Sequence, residues 1–349
     1  MKLDLEHIDI PGEPDARLRT WETVRSAFET RERITWPRRH VRALALTAAG
    51  VAVVAAAFTP PGRSVVNTMR DAVGRTKVEG VRNAHRELVR LPAAGPLLLQ
   101  SARGPWIVRP SGSRRLLGGY SMASWSPHAK FVAAVRYRYE LVALDPRGSI
   151  RWAVGRKQLV RDPRWSYEGY RIAYLSDDTL RVIDGDGGND RGLGSADPRV
   201  APAWRPGTHE VAWVGADGAV RVANADGGVP RRIPARGRVV ALGWRDGNVF
   251  AVRAPAAAAA FAGDGAVARV FRSDGRAHVT VGDRVVFSGA GIIDSLAFSP
   301  DSRWLAVGWR SADQLVFIRL RPPQLYAVSN VTRQFGPRFP TIAGWCCTS

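Results

Sequence analysis

Six histidines and several aspartate–glycine turns are the residues of this chain that could bind a metal ion if their spacing were suitable. None of the histidines stands at metal-ligand spacing from another histidine or a cysteine. Asp184 and Asp186 could face a calcium ion, but the twelve-residue loop with a closing glutamate is missing. Aspartate and glycine also suit tight turns, because both tolerate left-handed backbone. The histidines are His7, His40, His85, His128, His209 and His278.

Enzyme signatures are also missing from the sequence. No G-x-S-x-G elbow is present, and no α/β segment follows that could carry one. The two cysteines, Cys346 and Cys347, are adjacent, so a framework of disulfides is excluded and stability must come from packing. We therefore predict no catalytic residue, no cofactor and no metal.

The net charge of +20 is spread along the chain rather than clustered. Residues 1–92 carry 16 basic and 11 acidic residues, and the remainder carries 35 and 20. No basic helix and no aromatic-interleaved RNA-binding signature is present. The interpretations left open are a solvated basic surface and attraction to an anionic lipid headgroup or wall polymer. No nucleic-acid partner is expected.

The polar segment 1–40 contains one apolar stripe at helical spacing, formed by Leu18, Trp21, Val24 and Phe28. A segment this short cannot bury the stripe on itself. It is either a helix lying on a membrane surface or a docking helix for a cytoplasmic partner. These four residues are the candidate partner-binding site of the chain.

Residues 41–58 form one long apolar run, VRALALTAAGVAVVAAAF, which ends before Pro60-Pro61-Gly62. At 1.5 Å per residue a helix of this length spans roughly 27 Å, enough for a thin hydrocarbon core. A buried soluble helix and a cleaved signal peptide are the alternatives, although about forty residues precede the run, far more than a usual n-region. Arginines are denser before the run than after it, which favours a single-pass protein of the cell membrane with an extracytoplasmic C-terminal domain. A broken apolar stripe over 59–92 predicts a helical stalk.

A repeat begins near residue 93 and predicts a β-propeller over 93–349. Each unit has a strand ending in an aromatic residue, a turn rich in Pro, Gly or Asp, and an alternating apolar strand. Successive units lie 40, 39, 40 and 54 residues apart. The aromatic residues are Trp125, Trp165, Trp204, Trp244 and Phe298.

A sixth, incomplete copy predicts how the ring closes. Residues 340–347 supply only a first strand, and residues 97–118 supply three further strands. Either fragment alone would leave an unpaired sheet edge. Joining them completes one blade and gives six blades in all. A seventh, irregular blade inside the 54-residue interval is the alternative.

The W-S-P-x-x-x-x-(I/V)-A pattern followed by I-D-x-D-G-G resembles the TolB-type branch of WD-like propeller repeats. The layout also resembles membrane-anchored actinobacterial proteins with a short cytoplasmic tail, and the arginine- and alanine-rich composition is typical of bacterial sequences. The resemblance implies an all-β, non-catalytic module that binds a protein or cell-envelope component outside the membrane. The alternative function is a transmembrane regulator whose cytoplasmic helix binds a partner such as a sigma factor.

Overall fold

The computed structural model describes residues 78–347, and nearly every regular element in that range is a β-strand. The strands form seven antiparallel sheets, six with four strands and one with two. We number these sheets as blades 1 to 7. The helical elements of the described range are α1 (Val331–Phe335) and two 3-10 turns, Pro127–Ala129 and Arg310–Ala312.

Each blade is an antiparallel sheet ordered from an innermost strand outward, and in every blade but the first the strands follow one another in the chain. Blade 1 contains β26 (Thr341–Trp345), β1 (Leu97–Ser101), β2 (Gly104–Val108) and β3 (Arg114–Leu116). Blade 2 contains β4 (Ser121–Trp125), β5 (Val132–Arg136), β6 (Glu140–Leu144) and β7 (Ile150–Gly155). Blade 3 contains β8 (Val160–Trp165), β9 (Arg171–Ser176), β10 (Thr179–Asp184) and β11 (Arg191–Ser195). Blade 4 contains β12 (Ala203–Trp204), β13 (Glu210–Val214), β14 (Val220–Asn224) and β15 (Arg231–Ile233).

The remaining blades follow the same plan, apart from the fifth. Blade 5 contains only β16 (Val239–Arg245) and β17 (Asn248–Arg253). Blade 6 contains β18 (Ala258–Phe261), β19 (Val267–Ser273), β20 (Arg276–Val281) and β21 (Arg284–Ala290). Blade 7 contains β22 (Ile293–Phe298), β23 (Trp304–Trp309), β24 (Gln314–Arg319) and β25 (Gln324–Val328).

The innermost strands contact one another in a closed cycle, β26, β4, β8, β12, β16, β18 and β22, which is the arrangement of a propeller. Neighbouring strands of a blade are antiparallel, and each blade has an even number of strands, so every blade is entered from the same side of the ring. The turns after first and third strands therefore lie on one face of the ring, called face 1. The turns after the second and fourth strands lie on the other, called face 2.

The predicted closure of the ring is confirmed. β26 pairs with β1, with Leu97 opposite Trp345 and Leu99 opposite Ile342. The indole Nε1 of Trp345 donates to the carbonyl oxygen of Gly95 at 3.0 Å. Cys346 and Cys347 follow β26 and are bonded to each other, a link that encloses no loop of the chain.

The structure has seven sheets where six blades were expected. The 54-residue interval, in which a seventh, irregular blade was the alternative, contains the hairpin of blade 5 and all four strands of blade 6. The first strand of blade 6, Ala258–Phe261, is alanine-rich and ends in phenylalanine. It therefore lacks the tryptophan that marks most of the other units. A blade that loses its third and fourth strands together still returns the chain to face 2, so the ring continues without a change of direction.

The predicted stalk is not helical where the structure describes it. Residues 78–92 contain no helix and form a strap that crosses the seam between blades 7 and 1. Val81 N donates to Gln314 Oε1 at 2.8 Å, Leu88 N to Gln334 Oε1 at 3.0 Å, and Leu91 N to Pro110 O at 3.0 Å. Leu88 and Leu91 are buried in the core that joins the two blades. The apolar spacing therefore serves packing against the propeller rather than a free helix.

The other N-terminal predictions concern residues that the structure does not describe. They are the tail 1–40 with Leu18, Trp21, Val24 and Phe28, the apolar run 41–58, and residues 59–77. Within residues 78–347, no helix combines the length and the hydropathy needed to cross a bilayer.

Candidate functional site

The tryptophans that end the innermost strands pack between blades, as predicted, and some also bond to the preceding blade. Trp204 Nε1 donates to Arg164 O at 2.8 Å, and Trp244 Nε1 donates to Ala203 O at 3.0 Å. Trp125 and Trp165 depart from this series, because the Nε1 of each is buried without a hydrogen-bond partner among the described residues. The blade-to-blade bond is thus missing on both sides of blade 2.

A cavity of about 650 Å³ opens at one of these two junctions, between blades 2 and 3, on face 1. Its walls come from the turns after the first strands of both blades, from the start of β7 and from the turn after β10. Aromatic rings, two arginines and two aspartates share the lining. The lining residues are Phe131, Ala143, Arg151, Trp152, Trp165, Gly169, Tyr170, Arg171, Asp184, Gly185 and Asp186.

The aromatic wall is held by contacts between the two blades. Phe131 and Trp165 stack with ring centroids 6.2 Å apart and planes 21° from parallel. Trp152 Nε1 donates to Gly185 O at 2.8 Å. A Cβ on Gly187, whose φ is +92°, would lie 2.9 Å from the Trp152 ring, so this close approach requires glycine. The ring of Tyr170 is 72% exposed and stands at the rim.

The arginines of the cavity are already paired with acids. Arg151 lies 3.0 Å from Asp145, and Arg171 pairs with Glu168 at 3.4 Å and with Asp226. Backbone hydrogen bonds, chiefly from Ser149, hold the pKa of Asp145 below its usual value. The positive charges of the lining are therefore largely neutralised inside the protein.

The negative charges of the aspartates in the lining are less fully neutralised than the positive charges of the arginines. Asp184 Oδ2 accepts from Asn189 Nδ2 at 2.7 Å, and the guanidinium of Arg191 is 3.9 Å from its other oxygen. Asp186 is exposed, accepts a bond from Gly188 N at 2.9 Å, and forms no ion pair with the described residues. Asp186 therefore supplies an uncompensated negative charge beside the aromatic wall.

A partly buried polar network joins the same two blades. Arg156 Nε donates to Tyr174 Oη at 2.9 Å, and that hydroxyl donates to Asp190 Oδ1 at 2.7 Å. Arg181 pairs with Asp190 at 2.8 Å. Burial, followed by the bond to Asp190, raises the pKa of Tyr174 to about 12. The network fixes the relative position of the two blades that form the cavity.

The histidines in the described range are not brought together. His209 Nδ1 lies 2.6 Å from Asp226 and His278 Nδ1 lies 2.9 Å from Ser288, while His85 packs on the Tyr326 ring. Over residues 78–347 no three His, Cys, Asp or Glu side chains are grouped to hold a metal ion. Asp184 and Asp186, the calcium candidates, stabilise their own turn.

No protein-family model matches this chain, and no curated protein matches it. Similarity is found among solved structures. The RRP9 WD40 repeats align with a TM-score of 0.49 at 12% identity, over 59% of this chain and 79% of that one. U3-55K aligns at 0.48 with 14% identity, over 59% and 80%. The C-terminal WD40 domain of Sif2 aligns at 0.53 with 14% identity, over 72% of this chain and 90% of that domain. The alignment with Sif2 shows the fold, which is that of a WD40-like β-propeller.

Proposed function

We propose that the propeller is a non-catalytic module that binds a protein partner through the cavity between blades 2 and 3. The observation that carries this proposal is an aromatic cavity whose arginines are paired internally while Asp186 forms no ion pair with the described residues. Aromatic faces beside a carboxylate attract a cation, and a lysine or arginine side chain of a partner supplies one. Trp165 and Trp152 form the wall, and Tyr170 covers the entrance.

The test is a titration of acetyl-arginine amide, acetyl-lysine amide and acetyl-glutamate amide into the full chain, followed by tryptophan fluorescence. The two cationic probes should bind and the glutamate probe should not. Tyr170→Ala should weaken binding by about 2- to 5-fold, the range of an exposed cation–π contact. Asp186→Asn keeps the oxygen that accepts from Gly188 and removes the charge, and it should also weaken binding. Tyr137, 79% exposed on face 2, gives the control variant Tyr137→Ala. Equal binding of all three probes, or equal loss in the control, would refute the proposal.

We further propose that residues 41–58 anchor this module in the cell membrane with the propeller outside. The support is the length of the apolar run and the denser arginines before it. A reporter active only in the cytoplasm, fused after Ser349, should stay silent, whereas the same reporter at the N-terminus should be active. Activity from the C-terminal fusion would reverse the orientation. The TolB-type branch and a bacterial envelope partner belong to this same hypothesis.

The second candidate function is a transmembrane regulator, and it rests on the apolar stripe of the tail. Burying one such side chain is worth roughly 1.5–3 kcal/mol, so four could hold a partner such as a sigma factor. Changing Trp21 and Phe28 to alanine should release a cytoplasmic partner while membrane insertion is unchanged. Recovery of the same proteins in pull-downs with and without these changes would remove the basis for the regulator.

A further inference from the structure

Blade 5 ends at its second strand, β17, and this leaves the outer edge of β17 open. β17 pairs with β16 and with no other strand of the described residues. In every other blade the second strand is covered by a third and a fourth strand. Residues 78–347 therefore supply no third or fourth strand at this position.

The sequence of β17, NVFAVR, is apolar apart from its two end residues. Three outermost strands are blunted by charge or glycine, RRL of β3, RGLGS of β11 and RRI of β15, whereas β25 (QLYAV) keeps apolar residues. The second strands β5 and β13 each bury a run of apolar residues. In β17, by contrast, Val249, Phe250 and Ala251 are only half-buried. The strand has apolar side chains and backbone groups that its own blade leaves uncovered.

The register of the hairpin shows which backbone groups point outward. Asp246 and Gly247 have φ of +50° and +71°, as in a two-residue type I′ turn, so Arg245 and Asn248 form the hydrogen-bonded pair beside it. Bonded and non-bonded pairs alternate along an antiparallel ladder. Val249 and Ala251 therefore direct their N–H and C=O groups away from β16, toward the open edge.

Four arginines lie at the ends of the two strands of blade 5 or on the neighbouring strand β15. Arg253 ends β17, and Arg236 and Arg238 lie in the segment that enters β16. Arg231 shares a face of β15 with Ile233, which packs against blade 5. All four are exposed, and none forms an ion pair with another described residue. Arg238 acts electrostatically on Asp197, so Arg231, Arg236 and Arg253 supply the positive charge that an incoming strand with carboxylates would meet.

We propose that β17 is a β-augmentation site: an extended segment of a partner protein, with acidic residues alternating with apolar ones, adds to its open edge. Backbone bonds to Val249 and Ala251 supply affinity, and the arginines select acidic residues. Apolar side chains of the added strand cover Phe250, which makes an edge-to-face contact with Phe261 at 6.4 Å. This site is independent of the cavity between blades 2 and 3.

The experiment uses two fluorescein-labelled peptides, EVEVEVE and KVKVKVK, titrated into the full chain and followed by anisotropy. The acidic peptide should bind and the basic one should not. Amide hydrogen exchange should show fast exchange at Val249 and Ala251 in the free chain and protection when the acidic peptide is bound. Protection at the cavity residues Trp152 and Tyr170 instead would overturn the assignment.

Two sets of variants separate backbone from charge. Ala251→Pro removes one outward N–H but no bond to β16. It should weaken binding by about 3- to 10-fold, which is the effect of losing one hydrogen bond. Ala251→Ser keeps the N–H and should bind like the unchanged chain. Arg231→Glu with Arg253→Glu should reverse the preference toward KVKVKVK, which keeps the test decisive if the proline variant fails to fold.

Other occupants of the edge would overturn the proposal. One is the chain's own residues 1–77, in which case Val249 and Ala251 would already be protected from exchange without peptide. Another is a second copy of the chain, in which case sedimentation would give a dimer that Ala251→Pro dissociates. Binding of both peptides with equal affinity would exclude charge selection.

Discussion

A chain that lacks Phe339–Ser349 is expected to lose most of its stability and to aggregate. The deletion removes β26, which pairs with β1 and contacts the innermost strands of blades 2 and 7. Ile342 and Trp345 are buried in the core of the seam. Burying each such side chain is worth about 1.5–3 kcal/mol, and a whole domain is stable by only about 5–15 kcal/mol. The edge of β1 would also become available for pairing between molecules.

Thermal unfolding and size-exclusion chromatography measure this outcome. Removal of Thr348 and Ser349 alone is the matched control, because it keeps β26, the bond between Cys346 and Cys347, and the bond from Cys346 N to Pro96 O at 3.0 Å. The control should melt like the unchanged chain. A protein without Phe339–Ser349 that stays monomeric and melts normally would show that β26 does not close the ring.

The second large effect is expected at Trp204, where Trp204→Ala should lower the free energy of unfolding by about 3–5 kcal/mol. The side chain is 4% exposed and lies in the core between blades 3 and 4. Truncation leaves a cavity and also removes the donor to Arg164 O. The two losses act on the same junction between neighbouring blades.

Trp204→Phe separates these contributions. It keeps an aromatic ring of somewhat smaller volume and removes the donor, so a loss of about 1–3 kcal/mol is expected. Phe298 occupies the corresponding position of blade 7 and shows that the ring accepts phenylalanine there. Urea unfolding of both variants gives the comparison. Equal losses for alanine and phenylalanine would mean that the bond to Arg164, rather than packing, accounts for the whole effect.

The sequence is sufficient to predict the repeat and the closure, because both depend on local signals. A strand ending in tryptophan and followed by a Pro-, Gly- or Asp-rich turn recurs every forty residues or so, and the fragment around Trp345 is its incomplete copy. The same pattern misses blade 6, because Ala258–Phe261 is an alanine-rich strand that ends in phenylalanine and lacks the tryptophan, although a Gly-Asp-Gly turn follows it. The missing strands of blade 5 shorten the interval and conceal the additional blade.

The strap and the cavity depend on partners far away in the chain, which no local pattern reveals. Leu88 and Leu91 stand three residues apart, which fits one face of a helix equally well. Their burial depends on residues such as Phe317 and Phe335, more than two hundred positions later. The cavity likewise combines Trp152 of one repeat with Asp186 of the next. Tyrosines in predicted turns, such as Tyr170, are the one feature of the sequence that indicates this cavity.

The closing strand also determines the order in which the ring can be completed during synthesis. Gly95, whose carbonyl receives the indole of Trp345, leaves the ribosome 250 residues before that indole exists. Blades 2 to 4 can each form from neighbouring residues as they emerge, whereas blade 1 must wait with the edge of β1 unpaired. Contacts this distant slow folding, and exposed edges in the waiting chain favour aggregation. We therefore expect blade 1 to be the last part of the ring to be completed.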